Sequence, residues 1–210
     1  MFTVDELNDK LIDLSFSEDI GDGDHTTLCC IPEDAIGKSK LLIKEEGILA
    51  GMRIAKEVFH RFDPSMQVEQ FIEDGSHVKP GDIAMIVTGK VRSLLQTELN
   101  IMQRMSGIAT MTNKYVKRLE GTNTHVLDTR KTTPGMRMLE KEAVKIGGGM
   151  NHRIGLFDMI LLKDNHVDFA GGIANALDRC AAYQKEKGLN LKVEIECRSF
   201  DEIKQVMAHG

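Results

Sequence analysis

The chain has 210 residues, 41% hydrophobic and 28% charged, with 27 Lys and Arg against 32 Asp and Glu and a formal charge of −5. That composition suits a globular protein with ample core for one large or two small domains, and its acidic balance argues against nucleic acid as the main partner. No apolar run nears the roughly 18 residues a membrane span needs, and the start, MFTVDELNDKLIDL, lacks the basic and apolar blocks of a signal peptide, so a cytoplasmic protein is expected.

Four cysteines (Cys29, Cys30, Cys180, Cys197) form no CxxC and no spaced Cys/His set. They are expected to be reduced, partly buried thiols. Thr3-Val4-Asp5-Glu6 has the form of a capping box, and Val4, Leu7, Leu11 and Ile12 follow at helical spacing, which predicts a helix to about Leu14. The acidic, Gly-broken EDIGDGDHTT (18–27) lacks the acceptor spacing of an EF-hand. It reads as a turn that sets Asp24, His25 and Thr26 at an interface or pocket rim.

From Lys38 to Gly89 the pattern shortens to strand-like runs, KLLIK, GILAG, MQVEQFIE and IAMIVTG, split by a helix over Met52–Phe62 and a turn at Lys79-Pro80-Gly81-Asp82. Residues 93–119 then predict one long helix. Its small stretch Ser106-Gly107-Ile108-Ala109-Thr110 marks a place where another backbone packs closely. Beyond it, THVLDT (124–129), FDMILLK (157–163) and LKVEIEC (191–197) read as strands. Helices are expected from Pro134 to about Ile146, over Gly172–Lys187, and after a Ser199 cap.

Three β-α units with strand ends about 34 residues apart indicate a parallel sheet, open or closed into a barrel. The fold class expected is α/β: an N-terminal α+β sandwich domain over 1–115, then an incomplete α/β barrel over 116–210. Three units do not close a barrel. Either partners complete the sheet or the molecule continues past Gly210, and an ending just after a helix favours the second.

The carboxyl ends of such strands are where these folds build sites. Asp128–Lys131, Lys163–His166 and Glu196 all fall there. Residues 128–166 hold seven Lys and Arg against five Asp and Glu, in a chain that is acidic overall. Taken singly, Lys141 and Lys145 read as solvated surface charges. Taken together, Arg130, Lys131, Arg153 and Lys163, with His152 as a further donor, imply a ligand with several anionic oxygens, such as a dicarboxylate, a phosphate or both. Glu196 suits a ribose hydroxyl or a magnesium ion held by phosphates. Gly147-Gly148-Gly149 would let backbone approach a ligand closely. No GxGxxG, P-loop or nucleophile–base pair is present, so charge stabilisation and positioning are the chemistry expected.

DTRKTTPGMR, GGGMNHRIGLFD, LLKDNH and VEIEC, in this order and spacing, resemble the quinolinate phosphoribosyltransferase family, as do EDIGDGDHTT and QRMSGIAT upstream. The resemblance implies an N-terminal α/β sandwich, an incomplete α/β barrel, and a homodimer or higher homo-oligomer with shared sites. It also implies transfer of phosphoribosyl from phosphoribosyl pyrophosphate, with Mg²⁺, to quinolinate, giving nicotinate mononucleotide, pyrophosphate and CO₂. Carried over by position, Thr129, Arg130, Lys131, Thr132, His152, Arg153, Lys163 and Glu196 are substrate-binding. Lys131, Lys163 and Glu196 are the catalytic set, and no protein side chains are assigned as metal ligands.

Two departures stand out. The family carries Glu-Arg-Thr ahead of its Ser-Gly-Ile-Ala-Thr motif, and that Arg reaches into the neighbouring subunit's pocket. Here the stretch reads Leu95-Gln96-Thr97-Glu98-Leu99-Asn100. Keeping Leu99-Asn100 in register puts Gln96 in place of the Arg; aligning Glu98 instead leaves three residues missing, the Arg among them. A guanidinium lost opposite a carboxylate costs several kcal/mol of binding, and Arg92 and Arg104 are the candidates to compensate. Second, the family's Leu-Asp-Asn strand end and Ser-Gly-Gly phosphate loop would lie beyond Gly210. Two other readings are a paralogue of the molybdenum-operon type and a non-catalytic binding or assembly member.

Overall fold

A computed structural model describes residues 3–97 and 99–209. The Thr3–Glu6 box forms as expected: Glu6 N–H donates to Thr3 Oγ1 at 3.2 Å and Thr3 N–H to the Glu6 carboxylate at 2.7 Å. Helix α1 (Val4–Asp19) runs past the expected stop at Leu14. Ser15 and Ser17 sit in its last turns with their hydroxyls donating back to the carbonyls of Leu11 and Asp13, so neither residue breaks it. The acidic segment after it forms a cap: Asp24 accepts from Thr27 N–H at 3.1 Å and starts the short α2 (His25–Cys30). Bonding to Thr27 holds the Asp24 carboxyl below its usual range. Cys29 and Cys30 are exposed at its end rather than partly buried, and all four cysteines are free.

Strands β1 (Ile36–Leu42) and β2 (Gly47–Ile48) precede α3 (Met52–Phe62), and β3 (Gln67–Gln70), β4 (His77–Val78) and β5 (Ile83–Lys90) follow it. Central β5 pairs antiparallel with β1 on one side and β3 on the other, and β2 pairs with β4. Ala84, Met85 and Val87 of β5 pack with Leu49, Met52, Ala55 and Phe59 in one core. The opposite side of α3, through Ile54 and Val58, joins a second core with Ile12, Met105, Ala109, Leu139 and Ala143.

The long helix expected over 93–119 is two. Helix α4 (Val91–Leu95) ends at Gln96, and α5 (Asn100–Arg118) restarts four residues on. Thr97 Oγ1 donates back to Ser93 O at 2.8 Å, while Ser93 Oγ is held by Asp63 at 2.8 Å. The small stretch of α5 receives backbone as expected. Ile48 N–H donates to Thr110 Oγ1 at 2.8 Å and Ala50 N–H to Ser106 Oγ at 3.0 Å. The next helix, α6 (Arg137–Ile146), begins three residues after Pro134, because Thr133–Met136 is a turn: Met136 N–H donates to Thr133 O at 3.0 Å, with Gly135 at φ +82°. The strand expected at 124–129 is a single parallel rung, Leu127 with Met150.

The chain divides into compact units at His152/Arg153. In the second, β6 (Ile160–Leu162) is followed by α7 (Asp164–Ala170) and α8 (Ile173–Lys187), and β7 (Val193–Ile195) by α9 (Phe200–His209). β6 and β7 are parallel neighbours, and Val167, Ile173 and Ala176 form a small core against them. Ser199 caps α9, accepting from Glu202 N–H at 3.2 Å. The class is α/β, with antiparallel sheets first and parallel β-α repeats of an incomplete barrel after. No helix among the described residues is long and apolar enough to cross a membrane.

Candidate functional site

The predicted residues fall in both units, and each set has its own scaffold. In the first, the backbone zips 126–128 to 150: Met150 N–H donates to Val126 O at 2.8 Å and Asp128 N–H to Met150 O at 3.1 Å. The loop that leaves this rung carries Thr129, Arg130, Lys131 and Thr132. Two arginines stitch it down. Arg137 donates to Thr132 Oγ1 at 3.1 Å and to Arg130 O at 3.3 Å. Arg104 on α5 reaches Thr133 Oγ1 at 2.6 Å and the Glu140 carboxylate at 2.6 and 2.8 Å, while Glu140 accepts from Thr133 N–H. Thr129 Oγ1 accepts from Lys131 N–H at 3.1 Å, so it shapes its own turn. Lys131 is exposed. Arg130 Nε is buried and has no hydrogen-bond partner among the described residues, a donor suited to an anionic acceptor.

In the second unit Arg153 is 9% exposed and donates to Met159 O at 3.4 Å. Asp158 closes the loop after it, accepting from the N–H groups of Ile154 and Gly155 at 2.7 and 2.8 Å. Lys163 and Glu196 stand just past β6 and β7. Parallel pairing puts Leu162 opposite Ile195, and Glu196 N–H donates to Leu162 O at 2.8 Å. The two side chains therefore leave neighbouring strand ends, with Lys163 Nζ 3.7 Å from Glu196 Oε1 and each about half exposed. His166 Nδ1 accepts from Lys163 N–H at 2.9 Å, which puts the proton of a neutral ring on Nε2.

Three expectations are corrected. Gly147 is required by close packing against α5. A Cβ there would stand 2.8 Å from Thr112 Cβ and 3.0 Å from Ala109 Cα, and closer still to the Ala109 carbonyl. Gly148 supplies the left-handed turn at φ +91°. Lys141 is no surface charge: it is 1% exposed and ion-paired with Asp128, whereas Lys145 is exposed. Sequence reasoning missed Lys141 because its partner lies 13 residues earlier, outside helical spacing. Arg92 and Arg104 are not spare cations. Arg92 donates to the carbonyls of Ile31 and Leu28, and Arg104 is held as above. Gln96 closes α4 and lines a groove of about 320 Å³ with Ile12, Phe16 and Asn100. Glu98, the other anchor for aligning the missing Arg, lies outside the described residues.

Comparison with known proteins bears directly on these motifs. The model for the quinolinate phosphoribosyl transferase N-terminal domain matches residues 24–106, and that for the C-terminal domain matches 108–210. The chain belongs to the quinolinate phosphoribosyltransferase family. A probable nicotinate-nucleotide pyrophosphorylase (carboxylating) of Bacillus subtilis is 40% identical over 204 residues, 96% of this chain and 69% of that protein. The chloroplastic nicotinate-nucleotide pyrophosphorylase of rice is 44% identical over 95% of this chain. This chain spans 54% of the rice protein, about half its length. Among solved family structures, NadC from Streptococcus pyogenes is 36% identical and superposes with a TM-score of 0.92, over 100% of this chain and 74% of that one. The Francisella tularensis nicotinate-nucleotide pyrophosphorylase is 39% identical, with a TM-score of 0.91 over 99% of this chain and 73% of that one. Family membership accounts for the order of the cationic motifs along the chain.

Proposed function

We propose that the protein transfers phosphoribosyl from phosphoribosyl pyrophosphate to quinolinate, releasing pyrophosphate and CO₂ and giving nicotinate mononucleotide for NAD synthesis. The observation that carries the reading is that a chain matched along most of its length by both family models keeps Arg130, Lys131, His152, Arg153 and Lys163 in their motifs. By the family's pattern Arg130, His152, Arg153 and Lys163 form the cationic quinolinate pocket, Thr129 and Thr132 are further substrate-binding residues, and Lys131 serves between quinolinate and the sugar phosphate. Guanidinium forks suit planar carboxylates, and the ammonium groups act as point charges. Glu196 takes the ribose side. Its carboxylate is half exposed beside Lys163, and it fits either a sugar hydroxyl or the magnesium that phosphoribosyl pyrophosphate carries on its phosphates.

The pyridine nitrogen forms its bond to the anomeric carbon as the bond to pyrophosphate breaks, through an oxocarbenium-like transition state. The nitrogen becomes a pyridinium and can accept the electron pair of the adjacent C–CO₂⁻ bond. CO₂ then leaves and a proton takes its place. Cations that fix the dicarboxylate hold the nitrogen in line for attack, so positioning and charge supply the rate.

A cytoplasmic homodimer with shared sites, divided into domains at about residue 115, completes the reading. Incubating the protein with quinolinate, phosphoribosyl pyrophosphate and Mg²⁺ should yield nicotinate mononucleotide and CO₂ in equal amounts. No product from a full-length, folded, dimeric sample refutes it. With Arg92 and Arg104 both bonded within the chain, loss of the family's Arg would weaken quinolinate binding, which favours one alternative, a non-catalytic binding or assembly member of the family.

A further inference from the structure

The Asp128–Lys141 pair is buried deeply: the two side chains are 6% and 2% exposed. An ion pair so placed is no better for stability than well-packed apolar residues of similar volume, because desolvation offsets the attraction. Its geometry suggests another use. Asp128 Oδ1 accepts the His152 N–H at 2.9 Å, and Lys141 Nζ donates to the His152 carbonyl at 3.1 Å. Each half of the pair thus holds one main-chain group of the same residue. The clamp continues the rungs that join Val126 and Asp128 to Met150. Asp128 also lies directly before Thr129–Thr132, and Lys141 is anchored on α6 between core residues Leu139 and Ala143.

We propose that Asp128 and Lys141 are positioning residues for the substrate site. A buried charge pair fixes the origin of the 129–132 loop and the backbone of His152 against one helix. Charge serves here because one carboxylate oxygen can take both the ammonium and an amide, and the ammonium still has protons for a carbonyl. An apolar pair of equal volume would fill the space and leave both His152 groups unheld. The inference rests on the quinolinate reading for its ligand, and on the clamp geometry alone for its mechanism.

The test uses the full chain with Asp128→Leu, Lys141→Met and the double variant, each shown by circular dichroism to be folded at the assay temperature. Asp128→Leu frees the His152 N–H and leaves the Lys141 ammonium buried without its partner, so this single change should destabilise the fold. Loss of Lys141 frees the carbonyl. In the double variant, where no lone charge is buried, the quinolinate KM should rise about 10- to 100-fold, with the KM for phosphoribosyl pyrophosphate changed much less. Hydrogen exchange of the His152 amide should accelerate alongside. A folded double variant with wild-type quinolinate KM and unchanged His152 exchange overturns the proposal and leaves the quinolinate reading intact. If the wild type does not bind quinolinate, that reading fails, and the exchange rate alone then decides whether the clamp exists.

Discussion

Gly147 offers the sharpest test of how the site is supported, because its requirement is steric and not conformational. Its φ of −73° is open to any residue. An alanine methyl would meet Thr112 Cβ at 2.8 Å and Ala109 Cα at 3.0 Å, well inside ordinary carbon contact. Two of the nearest three atoms are α5 backbone, so no rotamer change relieves the clash. The C-terminal end of α6 must lift from α5, loosening a core in which Ala109 and Ala143 are 0% exposed. Overpacking a tight site costs about 1–3 kcal/mol, and rigid obstacles put this case near the top, about 3 kcal/mol. For a chain of this size that lowers Tm by about 6–12 °C. Gly148→Ala is the control. It meets Val116 only at 3.4 Å and pays mainly for φ +91°, about 1–2 kcal/mol. Urea unfolding at a shared m-value gives both numbers from the midpoints. If Gly147→Ala proves no more costly than Gly148→Ala, the close approach of α6 to α5 is wrong.

Two further predictions concern polar ties. Arg104→Met removes the bonds to Glu140 and Thr133; with Arg104 46% exposed the cost should be about 1–2 kcal/mol, and limited proteolysis should show faster cutting at residues 129–136. Asp63 is held below its ordinary value of about 3.9, first by the Ser65 hydroxyl, then by the Ser65 N–H and the Ser93 hydroxyl. Its folded pKa is thus lower than its unfolded one. The stability it confers is present above the unfolded value and is lost as pH falls through the folded one, so Asp63→Asn should flatten the acid limb of stability against pH below about 4.

The sequence was legible where one local signal decided the structure. The α3 helix has its expected bounds because its apolar residues recur at helical spacing and face two cores, and the Thr3–Glu6 box needed only four residues to be recognised. Boundaries set by distant partners were not. The break between α4 and α5 leaves no mark in the apolar period, which runs on across it, and Ser93 on α4 is tied to Asp63, 30 residues earlier. Residues 124–129 have strand composition, yet they make one rung because their partner around Met150 is short. The short α7 was hidden inside a motif whose polar residues drew attention to chemistry, and only its left-handed stop at Gly171 is a local cue. For the candidate site, the strand-end positions of Lys163 and Glu196 followed from counting. The burial of Lys141 did not, since a lysine in a mixed helix carries no mark of the aspartate it will meet.

The proposed function stands or falls on whether the cations of residues 130–163 recognise a pyridine bearing two adjacent carboxylates. Calorimetric titration of the protein with quinolinate, and separately with nicotinate, which lacks one carboxylate, addresses this without a coupled assay. Quinolinate should bind saturably, with affinity weakened by salt and by Arg130→Met or Arg153→Met, and nicotinate should bind at least about ten-fold more weakly, the effect of one lost charge-assisted contact. Equal affinity for the two acids, or quinolinate binding indifferent to both arginines, would contradict it.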